Sequence, residues 1–265
     1  MITESFDNKS EAIINPIPNE KRVKCDICIA TFSHEIEENV IASFKPKIVG
    51  FFKCVNGTYP FYAFKYKNLN LGFYKTLLGA PASVGILEDA TMYIDTNKFL
   101  VFGSAGSLDK EICHNKVVVP TYAYRDEGTS YHYTKAKDYI KIKNAKVVEK
   151  FMKNNKIPYV VGRVWTIDAF YRETKNNFKK RKDEGCIAVE MECSALQAVC
   201  DFRGKELYYF LVSGDLLDAP EWEDKKLHEA NHNLENFQIA LKLAQEICKT
   251  KKSNNDDENI KNKDF

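Results

Sequence analysis

No apolar run in this chain approaches the ~20 residues needed to cross a bilayer, so no membrane partner is expected. The opening MITESFDNKSEAIINP lacks a basic segment followed by an apolar one, and it does not read as a secretory leader. Charge of one sign is also missing, since 39 Lys+Arg against 37 Asp+Glu leave a formal +2. No broad basic field exists, and nucleic acid is not an expected partner. Eight cysteines in 265 residues are too sparse for a disulfide scaffold. Cys25 and Cys28 form a lone CxxC without a second pair at zinc-finger spacing, and they read as small apolar side chains in a buried strand. The five histidines offer no convincing ligand spacing. His228 and His232 are one helical turn apart, but with no nearby acidic partner they read as a helix face, and no metal is expected. A cytoplasmic protein that handles small molecules fits these absences.

What remains is a chain long enough for one large α/β domain, with 44% hydrophobic residues. Residues 1–22 read as an N-terminal arm, 23–250 as the domain, and 251–265 as a charged tail too polar to fold. Strands are expected at VKCDICIATF, KIVGFFKCV, FYAFKYK and NLGFYKTLL, then at KFLVFGSAG, KVVVPTYAY, PYVVGRVWT, IAVEME and LYYFLVSGD. Helices are expected over 34–44, from Pro81 to about Ile94, over 147–155, at SALQAVCDF, and as one long helix over 226–248. Near-continuous Val/Ile/Phe/Tyr strands separated by helices predict a single-domain α/β fold. Its central sheet is expected to be mixed and mostly parallel, with helices on both faces. Ligands of such sheets bind beyond the carboxyl ends of the strands.

Those ends carry polar clusters: Gly103-Ser104-Ala105-Gly106; RDEGTSYHY (125–133); Trp165-Thr166-Ile167-Asp168-Ala169-Phe170-Tyr171-Arg172; Glu190-Met191-Glu192; and Ser213-Gly214-Asp215. Singly, each has an ordinary explanation as a turn, cap or surface ion pair. Their joint placement after successive strands points to a site.

From about Ile29 to Ala244 the chain resembles the nucleoside phosphorylases and their hydrolytic relatives. The former include the hexameric purine nucleoside phosphorylases and the uridine phosphorylases; the latter are the methylthioadenosine/S-adenosylhomocysteine nucleosidases. AVEMECSALQAVC (188–200) is similar to the family's V-E-M-E-x-x-A signature, and FGSAGSLD (102–109) and TIDAFYRET (166–174) agree in order and spacing. RDEGTSYHY is similar to a block of uridine-phosphorylase-like members. The resemblance implies cleavage of a nucleoside's N-glycosidic bond, with no cofactor beyond inorganic phosphate as co-substrate. It also implies a homo-oligomer, dimer or hexamer.

The ribose becomes oxocarbenium-like while negative charge builds on the departing base. A carboxylate that accepts from both ribose hydroxyls orients the sugar and stabilises that cation. The resemblance gives this role to Glu192, with Met191 against the ribose and Glu190 nearby. It puts Asp215 in the place of the purine enzymes' general acid, where a carboxyl can share a proton with the base. Asp218, three residues on, could be confused with it. Thr166 and Phe170 are implied to line the base pocket.

The nucleophile is where the pattern breaks. Phosphorylases clamp phosphate with arginines, whose forked donors match its oxygens, yet no arginine lies between Arg22 and Arg125. Gly103 and Ser104 remain as an anion or water site, and Arg125, or Lys45 and Lys47 of a partner subunit, could rebuild it. Glu35 falls by spacing on the nucleosidases' water-activating glutamate; its alternative is a solvated residue favoured by the helix dipole. Phosphorolysis of a purine nucleoside leads on whole-chain resemblance, and hydrolysis through Glu35 follows on local chemistry. Uridine-type specificity or a non-catalytic nucleoside binder comes third.

Overall fold

The computed structural model describes residues 1–218, 222 and 227–261, the last of these (250–261) as backbone only. In chain order the elements are β1 (Val23–Lys24), β2 (Ile27–Thr31), α1 (His34–Phe44), β3 (Lys47–Cys54), β4 (Gly57–Tyr66) and β5 (Leu69–Lys75). Then come α2 (Ala80–Tyr93), β6 (Ile94–Asp95), β7 (Lys98–Ser107), α3 (Lys110–Cys113), β8 (Val117–Asp126), β9 (Tyr139–Lys141) and α4 (Ala145–Asn154). The rest are β10 (Tyr159–Ile167), α5 (Lys175–Asp183), β11 (Cys186–Glu190), α6 (Cys193–Phe202), β12 (Glu206–Leu216), α7 (Leu227–His232) and α8 (Leu234–Lys261).

One ten-stranded mixed sheet runs β11-β10-β8-β12-β7-β2-β5-β4-β3, with β9 on β8, and helices pack against it. Apolar patterning explains its centre: all five residues of β2 and all five of β11 are buried. The sheet also curls back on itself. Antiparallel pairing of Ala188 with Ser107 and Val189 with Gly106 joins β11 to β7, closing β7, β12, β8, β10 and β11 into a ring. Three strand ends that sequence order separates therefore meet around the end of β7.

Local chemistry sets the helix starts. Ser33 caps α1 by accepting from Ile36 N at 3.1 Å, and Pro81 stands in the first turn of α2. The expected single helix over 226–248 is broken at Asn233. There the Asn233 side chain accepts from Glu235 N at 2.8 Å and caps α8, leaving α7 as a separate short helix; Lys226 lies outside the described residues. The backbone of α8 continues to Lys261, through most of the stretch expected to be an unfolded tail, whereas 262–265 lie outside the described residues. Once a helix is nucleated, each added residue forms a bond without a new nucleation cost. Cys25 and Cys28 are buried free thiols, as the apolar reading expects.

Candidate active site

Glu190 ends β11, the chain bends at Met191, and α6 starts at Cys193 with Glu192 as its N-cap residue. The two glutamates take different work. Glu190 Oε2 accepts from Glu192 N (2.8 Å), Cys193 N (2.7 Å) and the Tyr209 hydroxyl (3.2 Å), and its Oε1 accepts from Thr166 Oγ1 (2.5 Å). Those amides are the otherwise unpaired donors of a helix start, so Glu190 anchors α6. Burial raises its pKa to about 7 against the opposing pull of these bonds. Glu192 is buried too, but it is not saturated. Gly79 N donates to its Oε1 at 2.6 Å and Met191 N lies against it, which leaves capacity on a group that can accept about four hydrogen bonds. Burial first, then the charge of Glu190, push its pKa well up. Gly79 reaches it from the turn before α2 with φ 91°, a conformation that favours glycine.

Across β7 stands Asp215. A methyl group on Gly106 would meet Val189 Cγ1 at 3.0 Å and Asp215 Oδ1 at 3.2 Å, so glycine at this position lets the ends of β11 and β12 close in on β7. Asp215 Oδ2 accepts from Trp222 Nε1 at 2.9 Å. Beside it lies Glu173, whose pKa is pushed up to about 7 by burial and by the charge of Asp215. Sequence reading gave Glu173 no role, although it stands inside the TIDAFYRET motif. Asp218 is not a rival to Asp215. It is paired with Lys182 at 2.9 Å, which holds its carboxyl below the usual range.

A family model described as the phosphorylase superfamily matches residues 26–250. The chain belongs to the phosphorylase superfamily. An uncharacterized protein of Acanthamoeba polyphaga mimivirus is 28% identical over 166 residues, 62% of this chain and 65% of that protein, so the chain spans just under two thirds of that relative. A DeoD-type purine nucleoside phosphorylase of an Exiguobacterium species is 25% identical over 197 residues, 73% of this chain and 82% of the relative. In fold, the purine nucleoside phosphorylase of Toxoplasma gondii solved with immucillin-H aligns with a TM-score of 0.71 at 17% identity, covering 91% of this chain and 100% of that one.

For a phosphorylase-superfamily member, the missing arginines matter, and Arg125 does not replace them. Its side chain is buried, with Nε on Ser130 Oγ (2.7 Å), Nη1 on the carbonyls of Lys135 (2.8 Å) and Lys137 (3.3 Å), and Nη2 on Thr134 O (3.4 Å). It packs over the Tyr131 ring at 4.1 Å. The RDEGTSYHY block is therefore a folding knot. Glu127 accepts from Ser130 N and Ser194 Oγ, and Asp126 from Trp165 Nε1. Replacing Arg125 by methionine leaves those carbonyls without donors and is expected to lower stability by about 3 kcal/mol. Denaturant titration would measure this loss, and any effect on phosphate affinity is expected to be small.

Thr166 is also not free to line a pocket, because it is wholly buried and its Oγ1 accepts from Ser194 N at 3.2 Å while donating to Glu190. Phe170 sits on a turn, 47% exposed, against Tyr171 at 4.2 Å between ring centroids. Gly103 gives room to the Phe32 ring, which a methyl there would meet at 2.9 Å. Ser104 Oγ donates to Asn231 Oδ1 of α7 at 2.5 Å. Lys45 and Lys47 lie at and beyond the far end of α1 from Glu35, both exposed. The histidine pair does have an acidic neighbour, contrary to the sequence reading, for Glu35 Oε1 stands 3.7 Å from His228 Nε2.

The raised pKa of Glu190 makes stability depend on pH. Its folded value of about 7 exceeds the ordinary 4.5, so the folded state holds the proton more tightly than the unfolded chain. The contribution of this group to stability therefore falls as pH rises through that window. Denaturant titrations across it are expected to show a downward slope with rising pH that is shallower in Glu190→Gln, where Glu192 and Glu173, whose pKa values are also raised, still contribute.

Proposed function

We propose that this chain cleaves the N-glycosidic bond of purine nucleosides, with inorganic phosphate as acceptor, giving free base and ribose 1-phosphate. The observation that carries the reading is the meeting of the β11 and β12 ends at Gly106, with unsaturated Glu192 just beyond one and Asp215 on the other. Glu192 accepts from the two ribose hydroxyls, with Met191 beside the sugar; those donors favour its ionised form against the burial and the Glu190 charge that raise its pKa, and the resulting charge opposes the developing cation. Glu173, poised near neutrality against Asp215, keeps a proton in this carboxyl pair for the departing base. Phe170 covers the base from its exposed turn. Ser104 exchanges its bond to Asn231 Oδ1 for one to an oxygen of the acceptor, and the DeoD-type relatives support phosphate in that role.

Hydrolysis is the second reading, favoured by the hydrogen bonds that tie Arg125 to Ser130 and to backbone carbonyls, and by Glu35 in the first turn of α1. Incubation with inosine, adenosine, uridine and methylthioadenosine, with and without phosphate, separates the two. Phosphate-dependent release of purine with ribose 1-phosphate supports the first. Free ribose formed at the same rate without phosphate, and lost in Glu35→Gln, supports the second.

A further inference from the structure

Among the described residues, Glu35, His228 and His232 are the three groups whose ligand atoms all lie within 4.8 Å of one another. Two imidazoles sit one helical turn apart on α7, facing a carboxylate from the first turn of α1. We propose that these three side chains form a binding site for a divalent transition-metal ion of the zinc class, which fastens α7 to α1 across the strand ends.

The donor set decides the ion class. Two imidazoles and one carboxylate match zinc, whereas calcium and magnesium take oxygen shells. Ligand atoms around a tetrahedral zinc stand roughly 3.3 Å apart, given bonds of ~2.0 Å. Glu35 Oε1 and His228 Nε2, at 3.7 Å, are already near that spacing. Their side chains are 46% and 79% exposed, so both can turn to close the rest. His232 is set in advance. Its Nδ1 is hydrogen-bonded to Ser33 Oγ at 2.7 Å; in the tautomer that donates from Nδ1, this contact fixes the imidazole and leaves Nε2 for the metal.

The location gives the site a consequence. Asn231, next to His232, holds Ser104 of β7, and α7 packs against β7 and β12. Three protein ligands leave a fourth position open for water or an anion. An ion there clips α7 in place, and with it the Asn231 partner of Ser104.

The test is calorimetric titration of untagged, full-length, chelator-stripped protein with zinc chloride, with magnesium chloride in parallel. One zinc ion per chain is expected, with no magnesium binding and a higher thermal midpoint on zinc saturation. His228→Ala, at an exposed position, is expected to weaken zinc binding at least about tenfold, to abolish the zinc-dependent thermal shift, and to keep the metal-free midpoint. Absence of saturable zinc binding would overturn the proposal. So would equal affinity in the His228→Ala/His232→Ala double variant, since the ion would then belong to the cysteines or elsewhere.

Discussion

Glu192→Gln is expected to reduce turnover of a purine nucleoside about 10²–10³-fold while leaving the protein folded. The amide is the same size and can still accept one hydrogen bond, so sugar binding weakens modestly. What it lacks is the charge that opposes the oxocarbenium ion, an interaction that strengthens only as the bond breaks. The fall should therefore appear mainly in kcat. Stability should hold or rise, because the substitution removes a buried carboxyl whose ionisation is disfavoured by burial and by Glu190. Steady-state kinetics beside a thermal melt reads both. Unchanged kcat in a folded variant would mean that Glu192 does not touch the sugar.

The second large effect belongs to Asp215→Asn. An asparagine keeps the bond from Trp222 Nε1 but cannot share a proton with the leaving base, and a loss of about 10²–10⁴-fold is expected for purine nucleosides. Substrates with a leaving group that needs no protonation should lose much less. The variant should also change the pH–rate profile. Burial and the charge of Asp215 together hold Glu173 at about 7; removing that charge lowers the Glu173 pKa, so a protonated donor is lost at lower pH. A profile identical in shape to wild type would remove Glu173 from the carboxyl pair.

Much of the fold is legible in the sequence, because strands such as ICIAT and CIAVE are buried along their whole length and show as unbroken apolar runs. α5 (KNNFKKRKD) carries Phe178 as its one large apolar residue, and its start is set by Thr174 accepting from Asn177 N, so periodicity gives no sign of it. Asn233 breaks the last helix through a side-chain cap that hydropathy does not report. The site is legible in a different measure. Residue order brings Glu192 and Asp215 to strand ends, but the closure of β11 onto β7 is what draws those ends together, and it depends on pairing between distant segments. Nor does order reveal how a side chain's bonding capacity is used. Arg125 offers donors suited to phosphate, yet its neighbours' carbonyls take them. Glu190 and Glu192 look interchangeable in VEME until the bend at Met191 turns one onto the start of α6 and leaves the other its spare acceptor capacity. Glu35 and His228 meet from opposite ends of the chain.

A crystal structure of the protein with a non-cleavable purine nucleoside analogue tests the central claim most directly. The account predicts both ribose hydroxyls within hydrogen-bond distance of the Glu192 carboxylate and N7 of the same molecule within reach of Asp215 or Glu173. An analogue bound away from the end of β7, or touching Glu192 with its base turned from both acids, would contradict it.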